Sequence, residues 1–280
     1  MKLYTVNTGH FKLDGGAMFG VVPKTKWNKL NPADDNNMCS WAMRCLLVED
    51  GKRLILIDNG MGSKQDAKFL SYYYLHGEDS LQKSLANHGF TTDDITDVLL
   101  THLHFDHCGG SIQWNKDRTG YEPAFKNATY HVHQDHWEEA LHPNVREKAS
   151  FLKENILPIQ ESGHLNLFDD TAIIHPSISL LKVIGHTNSM VIPRISIGDK
   201  TIAFMADLMP SLGHIPPNYV MGYDVRPLDT MRERAEFLTG AVINKTILFF
   251  EHDPIHECAT VMQTERGFKH EAVFKLNEAF

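Results

Sequence analysis

Four short apolar runs, each ending on a histidine or an aspartate, constrain this chain more than any other feature. The run DVLLT at 97–101 precedes His102, SLLKVIG at 179–185 precedes His186, TIAFMA at 201–206 precedes Asp207, and TILFFE at 246–251 precedes His252. Near-continuous rather than alternating hydrophobicity is the pattern of strands buried on both faces. Similar runs lie at 45–50, 53–60, 128–133 and 194–199, and the first residues, MKLYTVNTGHF, alternate like a strand. Helices are predicted between them. Leu81 and Leu85 stand four apart in 78–88, ahead of Gly89 as a C-cap, and 134–141, 145–155 and 229–239 also read as helical. Strands mixed with helices throughout predict an α/β protein whose layers cover a sheet core.

No repeat, low-complexity tract or Pro/Gly/Ser linker divides the 280 residues, so a single domain over 1–280 is expected. Apolar residues at 42% and charged residues at 22% describe an ordinary globular mixture. The formal net charge of −8 argues against a nucleic-acid partner. No run approaches the ~18 apolar residues that span a bilayer, which excludes a membrane-spanning reading. The start lacks a secretory leader, and Cys39, Cys45, Cys108 and Cys258 are too scattered for a disulfide scaffold. A cytoplasmic location is therefore expected.

Two segments read as long loops, 14–40 and 208–228. Both carry turn residues together with much apolar content, which fits a segment that lines a site or an interface and equally a loop folded over the core. A homodimer is expected from the aromatic- and Met-rich segment 14–40, as a cover for a neighbour.

The densest chemical signal is THLHFDHCGG at 101–110, three imidazoles and a carboxylate within six residues. Imidazole and carboxylate suit zinc and neighbouring divalent ions. His102 and His104 project to one side of an extended chain, and Asp106 and His107 face a second position after the turn. A second match, His131-Val132-His133-Gln134-Asp135-His136, runs straight into a helix without a glycine pair and reads as structural. The remaining ligands are sought at other strand ends, where His186, Asp207 and His252 stand.

This pattern resembles the metallo-β-lactamase superfamily over roughly residues 42–255, including Leu56-Ile57-Asp58-Asn59-Gly60, Gly185-His186-Thr187, Ala206-Asp207 and Glu251-His252-Asp253. The resemblance implies an αββα four-layer sandwich with a dinuclear site at one edge. It implies one metal held by His102, His104 and His186 and another by Asp106, His107 and His252, with Asp207 bridging. Two divalent ions per chain follow, zinc by ligand type, with Asp58 orienting a ligand rather than binding metal. Departures from the family pattern are Asn188-Ser189-Met190 after Gly-His-Thr, no cysteine at the thiolate position of class B enzymes, and His104 where diiron oxidoreductases carry Glu. Cys108 reads as a buried small hydrophobe.

Within the superfamily the chain is most similar to quorum-quenching N-acyl-homoserine lactone lactonases, through residues 101–110, FMADLMPSLGHIP at 204–216, MGYD at 221–224 and FFEHDP at 249–254. That resemblance implies attack of a metal-bridging hydroxide on a lactone carbonyl, with Asp106 moving protons. Many such lactonases place a Tyr three residues after the bridging Asp; here Pro210 stands there, and His214 is the expected substitute proton donor. Met18, Phe19, Trp41, Leu212, Ile215 and Met221 are the expected acyl-chain pocket. An organophosphate triesterase or another ester hydrolase on the same site is the alternative. A glutathione thioesterase is disfavoured because the tail after residue 272 is too short for the added helical domain of that family. A metal-holding protein without turnover is disfavoured because an open coordination position beside a general base implies chemistry.

Overall fold

The computed structural model describes residues 1–280. Strands β1 (Lys2–Asp14), β2 (Met38–Asp50), β3 (Arg53–Ile57), β4 (Asp97–Leu99), β5 (Ile112–Trp114), β6 (Tyr121–Pro123), β7 (Thr129–His133) and β8 (Leu165–Phe168) come first. Strands β9 (Ile178–Val183), β10 (Met190–Ile197), β11 (Lys200–Phe204), β12 (Ile247–Phe249), β13 (Cys258–Thr264) and β14 (Gly267–Phe274) follow. They make two six-stranded sheets, in the orders β1-β2-β3-β4-β7-β8 and β14-β13-β12-β11-β10-β9, and a small β5-β6 ribbon. The chain divides into two compact units, Met1–His10 with Met43–Ala172, and Phe11–Ala42 with Ile173–Phe280.

Both sheets are mixed. In the first unit β3, β4, β7 and β8 run parallel and β2 pairs antiparallel to β3. Leu47, Leu56, Val98, Leu100, Tyr130 and Val132 are fully buried at its centre. Leu81 and Leu85, and Trp137 from the helix Gln134–Leu141, cover them. In the second unit β11 and β12 are parallel, and β9 regains their direction through two antiparallel pairings with β10. Phe204 and Phe249 stack at 5.7 Å on neighbouring strands, and Leu238 and Ala241 bury one face of the helix Pro227–Asn244.

These directions place the expected ligands. His102 lies three residues beyond Leu99, and His186, Asp207 and His252 lie three beyond Val183, Phe204 and Phe249. Within each unit the ligand-bearing strands point the same way, so their polar C-terminal residues gather at one sheet edge, the usual place for ligands in α/β sheets.

Local chemistry explains where helices begin and where the expectations shift. The helix Leu81–Asn87 starts at Ser80, whose hydroxyl accepts from the Lys83 amide, and the chain leaves it at Gly89 with φ +84°. The expected helix at 145–155 is replaced by turns, because the Asn144 side chain accepts from the Arg146 and Glu147 amides and diverts the backbone. The helix forms later, as Lys153–Glu161. Segment 14–40 is not a continuous loop: Asp14 caps the short helix Gly15–Phe19, and a second runs Lys24–Trp27. Met18, Phe19, Trp27 and Trp41 are at most 2% exposed. That burial removes the ground on which a homodimer was expected. No helix is long and apolar enough to cross a membrane.

Candidate metal centre

The first unit carries His102, His104, Asp106 and His107 on the loop after β4 and the short helix Phe105–Cys108. The ligand atoms of His102 and His104 lie within 4.8 Å of each other, and those of Asp106 and His107 do too. Gly109 and Gly110 serve this loop by close approach. A Cβ on Gly109 would stand 2.1 Å from the Met61 carbonyl and one on Gly110 2.3 Å from the Asn59 carbonyl. Only glycine lets the metal loop press against the backbone that follows Asp58.

Asp58 is fully buried. Its carboxylate accepts from the Thr101 amide (2.8 Å), the Thr101 hydroxyl (2.7 Å) and Nδ1 of His107 (3.1 Å). With its proton committed to Asp58, Thr101 Oγ1 accepts from Nδ1 of His102 at 3.1 Å. One carboxylate thus fixes the orientation of two imidazoles, engaging Nδ1 of each so that Nε2 is the nitrogen through which a metal would be bound. His104 is placed differently, with Nε2 at 3.7 Å from Oε1 of buried Glu147.

The second unit carries His186, Asp207 and His252. Nδ1 of His186 donates to Asp224 (2.9 Å), and Nδ1 of His252 donates to the Ala42 carbonyl (2.7 Å). Their Nε2 atoms face opposite oxygens of one carboxylate. Oδ2 of Asp207 is 3.1 Å from His186, and Oδ1 is 3.2 Å from His252. Burial pushes the His186 pKa down, but Asp207 and Asp224 outweigh it and hold the imidazole up at about 10. A buried position that keeps a proton so firmly between two carboxylates is one where a divalent cation fits in the proton's place. Asp58, Ser189 and Ala206 take φ of +55°, +56° and +40°, three non-glycine residues in the left-handed region beside ligand residues. Strain of that kind persists where surrounding structure dictates it and collects at functional sites.

A family model for the metallo-beta-lactamase superfamily matches residues 44–252. The chain belongs to the metallo-β-lactamase superfamily. Its α/β architecture with two mixed sheets is the fold of that superfamily, and its buried His and Asp clusters are groups that could hold metal ions. An N-acyl homoserine lactonase of Bacillus thuringiensis is 27% identical over 198 residues, covering 66% of this chain. The match spans 66% of that relative, just under two thirds of its length. A structure described as "a probable metal-dependent hydrolase from Staphylococcus aureus" superposes with a TM-score of 0.88 at 30% identity, covering 98% of this chain and 96% of that one. AidC, described as a dizinc quorum-quenching lactonase in complex with a product, shares the fold with a TM-score of 0.77 at 23% identity, over 98% and 95% of the two chains.

In this member of the metallo-β-lactamase superfamily the second H-x-H-x-D-H is occupied with structural work. His131 donates from Nε2 to Asp97 (2.9 Å) and accepts at Nδ1 from Asn166 (2.9 Å). Burial favours a neutral Asp97, but His131, Arg53 and Thr96 outweigh it and hold the carboxyl well below the usual range. His133 caps the next helix by accepting from the Asp135 amide, and its Nε2 meets Asp170 at 3.0 Å. His136 is fully buried, and its Nε2 accepts from the Leu103 amide, between His102 and His104, at 2.8 Å. Two substitutions separate these roles. His131→Ala is expected to cost about 1–3 kcal/mol of stability with metal content unchanged, whereas His136→Ala leaves the Leu103 amide unmet and lowers both. Thermal melts and elemental analysis of the two variants check this.

The expectation for His214 is corrected. It is wholly buried, Nε2 donates to the Met18 carbonyl (2.9 Å), Nδ1 accepts from Ser211 (2.7 Å), and the ring stacks on Phe19 at 4.5 Å. Burial, with Arg234 nearby, drives its pKa down to about 3. A neutral imidazole whose one proton is bonded to a carbonyl cannot supply protons to a leaving group, so His214 is a packing residue. The expected acyl pocket is corrected on similar grounds. Met18, Phe19, Trp41, Ile215 and Met221 are at most 2% exposed and Leu212 is half-buried, and the aromatic members pack on Trp27 and His214 rather than around open space. Cys108 is the buried small group expected, its thiol pushed up to about 12 by burial.

Three contributors escaped the sequence. Glu147 and Arg234 stand far from any motif, and Asp224 closes the MGYD segment without its role being legible there. Arg234, fully buried, donates to the carbonyls of Leu208 (2.9 Å) and Tyr219 (2.8 Å) and so fixes the segment after Asp207. Glu147 in NVREKAS and Arg234 in MRERAEF lie among other charged residues, so nothing local marks them as buried.

Proposed function

We propose that this chain opens the lactone ring of N-acyl-homoserine lactones at a dinuclear centre. His102, His104 and His186 would hold one divalent cation, Asp106, His107 and His252 the other, and Asp207 would join them. The single observation that carries this is Asp207, whose two oxygens each face the Nε2 atom of a different histidine. One carboxylate shared in that way is arranged for two cations rather than one. All-nitrogen and oxygen donors suit zinc. The 27% identity to a curated lactonase supports the lactone as substrate.

Two zinc ions there would supply a water acidic enough to attack at neutral pH and a Lewis acid for the carbonyl. The residues of the chain do the rest. Asp58, Thr101, Asp224 and the Ala42 carbonyl keep His107, His102, His186 and His252 in the tautomer that offers Nε2. Asp106, at the first turn of Phe105–Cys108, takes the proton released by the water and returns it to the ring oxygen as the carbonyl–oxygen bond breaks. Water is thereby added across the ester, leaving an alcohol and a carboxylic acid that releases its proton to solvent at neutral pH. Phe105 packs against Tyr73 (4.7 Å) and Phe69 (5.3 Å) beside Asp106, and this aromatic face is assigned to the acyl chain in place of the buried residues of the second unit.

One zinc-loaded sample assayed on N-hexanoyl-homoserine lactone, an aryl phosphotriester and an aliphatic thioester tests the reading. The lactone is expected to exceed both others in kcat/KM by ~100-fold, about 2.7 kcal/mol of discrimination. A phosphotriester that matches or exceeds the lactone contradicts lactone specificity while leaving the metal centre intact.

A further inference from the structure

The first unit contains a cavity of about 670 Å³, a volume within the range of small-molecule sites. Lys64, Asn59, Trp114, Arg118, Leu75 and Ile112 are among the residues that line it. None of the proposed metal ligands does.

Lys64 is the unusual member. It is 5% exposed, its ammonium donates to the Gly109 carbonyl, and no carboxylate pairs with it. Burial brings the ammonium down to about 8, so at neutral pH it still carries charge. A buried cation whose hydrogen bond goes to a neutral carbonyl, with Glu154 acting on it only from beyond ion-pair distance, is under-compensated, and such a charge is normally paired or coordinated. Asn59, 1% exposed, donates to Ser111 at 2.8 Å and leaves its carbonyl oxygen without a partner in the cavity wall. At the mouth, the Arg118 guanidinium lies 5.7 Å from the Trp114 ring centroid, and the Trp114 indole donates to the Lys64 carbonyl at 3.0 Å. Asp79 is the one acidic residue of the lining, so the two fixed cations leave an excess of positive charge. Leu75, Ile112, Met43 and Ala124 supply an apolar stretch of the wall, beside polar side chains such as Ser80, Gln82 and Gln113.

We propose that this cavity is a binding site for a small organic carboxylate, its charged end at Lys64 and its apolar body against Trp114, Leu75 and Ile112. The inference is independent of what the metal centre hydrolyses. It assigns a counter-ion to the one buried lysine that lacks it.

Titration of the metal-loaded protein with sodium hexanoate, followed by calorimetry and by the Trp indole NMR signals, tests it. Hexanoate is expected to bind with a Kd near or below ~1 mM and to shift the Trp114 indole signal. Lys64→Met, which keeps the apolar stem, is expected to weaken binding by about tenfold or more, and Arg118→Gln at the exposed mouth by about threefold. Hexanamide, the neutral counterpart, is expected not to bind. Unchanged hexanoate affinity in folded Lys64→Met places the carboxylate at the metal centre and overturns the proposal. Should Lys64→Met not fold, unchanged affinity in Arg118→Gln together with equal binding of hexanamide overturns it as well.

Discussion

Asp207→Ala is expected to lower lactone kcat/KM by ~10³-fold or more, about 4 kcal/mol of transition-state stabilisation. The size follows from geometry. Asp207 sits between His186 and His252 at 3.1 and 3.2 Å, each contact made by a different oxygen. Removing it takes away one ligand from each proposed cation and leaves two buried histidines without their shared partner. Elemental analysis of the variant is expected to show fewer than two metals per chain. Asp207→Asn, close in shape but neutral, keeps the fold and still loses most of the activity. An Asp207→Ala protein with wild-type turnover would remove the bridging role.

Asp224 produces the second large effect. Its Oδ1 accepts from Nδ1 of His186, and Oδ2 accepts from the Met221 amide, so the carboxylate is fixed before it orients the imidazole. Partners of this kind typically set metal affinity within a factor of 10–100. Asp224→Asn is therefore expected to weaken metal retention by ~10- to 100-fold in a chelator competition, with activity restored by excess zinc. The metal-free protein offers a second readout. Its His186 pKa is raised from 6.5 to about 10, so the stabilising contribution is complete below pH 6.5 and is lost as pH rises toward 10. Chelated wild type loses stability over that window, and Asp224→Asn loses less. Identical metal affinity in variant and wild type would reduce Asp224 to a packing role.

Much of the fold was legible because burial leaves a one-dimensional trace. Near-continuous runs such as 97–101 and 246–251 belong to strands hidden on both faces, and a polar residue that ends such a run is costly unless it has a task. Four runs with that ending single out His102, His186, Asp207 and His252 as candidate ligands more firmly than any count of histidines does. The second H-x-H-x-D-H shows the same rule from the other side. Its residues follow a strand too, but they enter a helix directly, and the structure gives them Asp97, Asp170 and the Leu103 amide as partners.

What was not legible depends on side-chain direction and long-range partners. The apolar residues of 14–40 signalled burial correctly, but nothing in their spacing told a pocket wall from the interior of the second unit. His214 looked free to act because it is polar and follows Asp207 closely; the carbonyl of Met18, nearly two hundred residues away, decides otherwise. Asp224 and His186 are separated by 38 positions, and no local pattern joins them. Asn144 displaced a helix through two hydrogen bonds that a hydrophobic pattern does not register.

Anomalous diffraction at the zinc edge from crystals of the zinc-loaded protein tests the central claim most directly. Two peaks are predicted, roughly 3.5–4 Å apart, as in other two-metal hydrolases. One is expected to be bounded by His102, His104 and His186 and the other by Asp106, His107 and His252, with one oxygen of Asp207 against each. A single peak, or two peaks that Asp207 does not touch, would contradict the dinuclear centre.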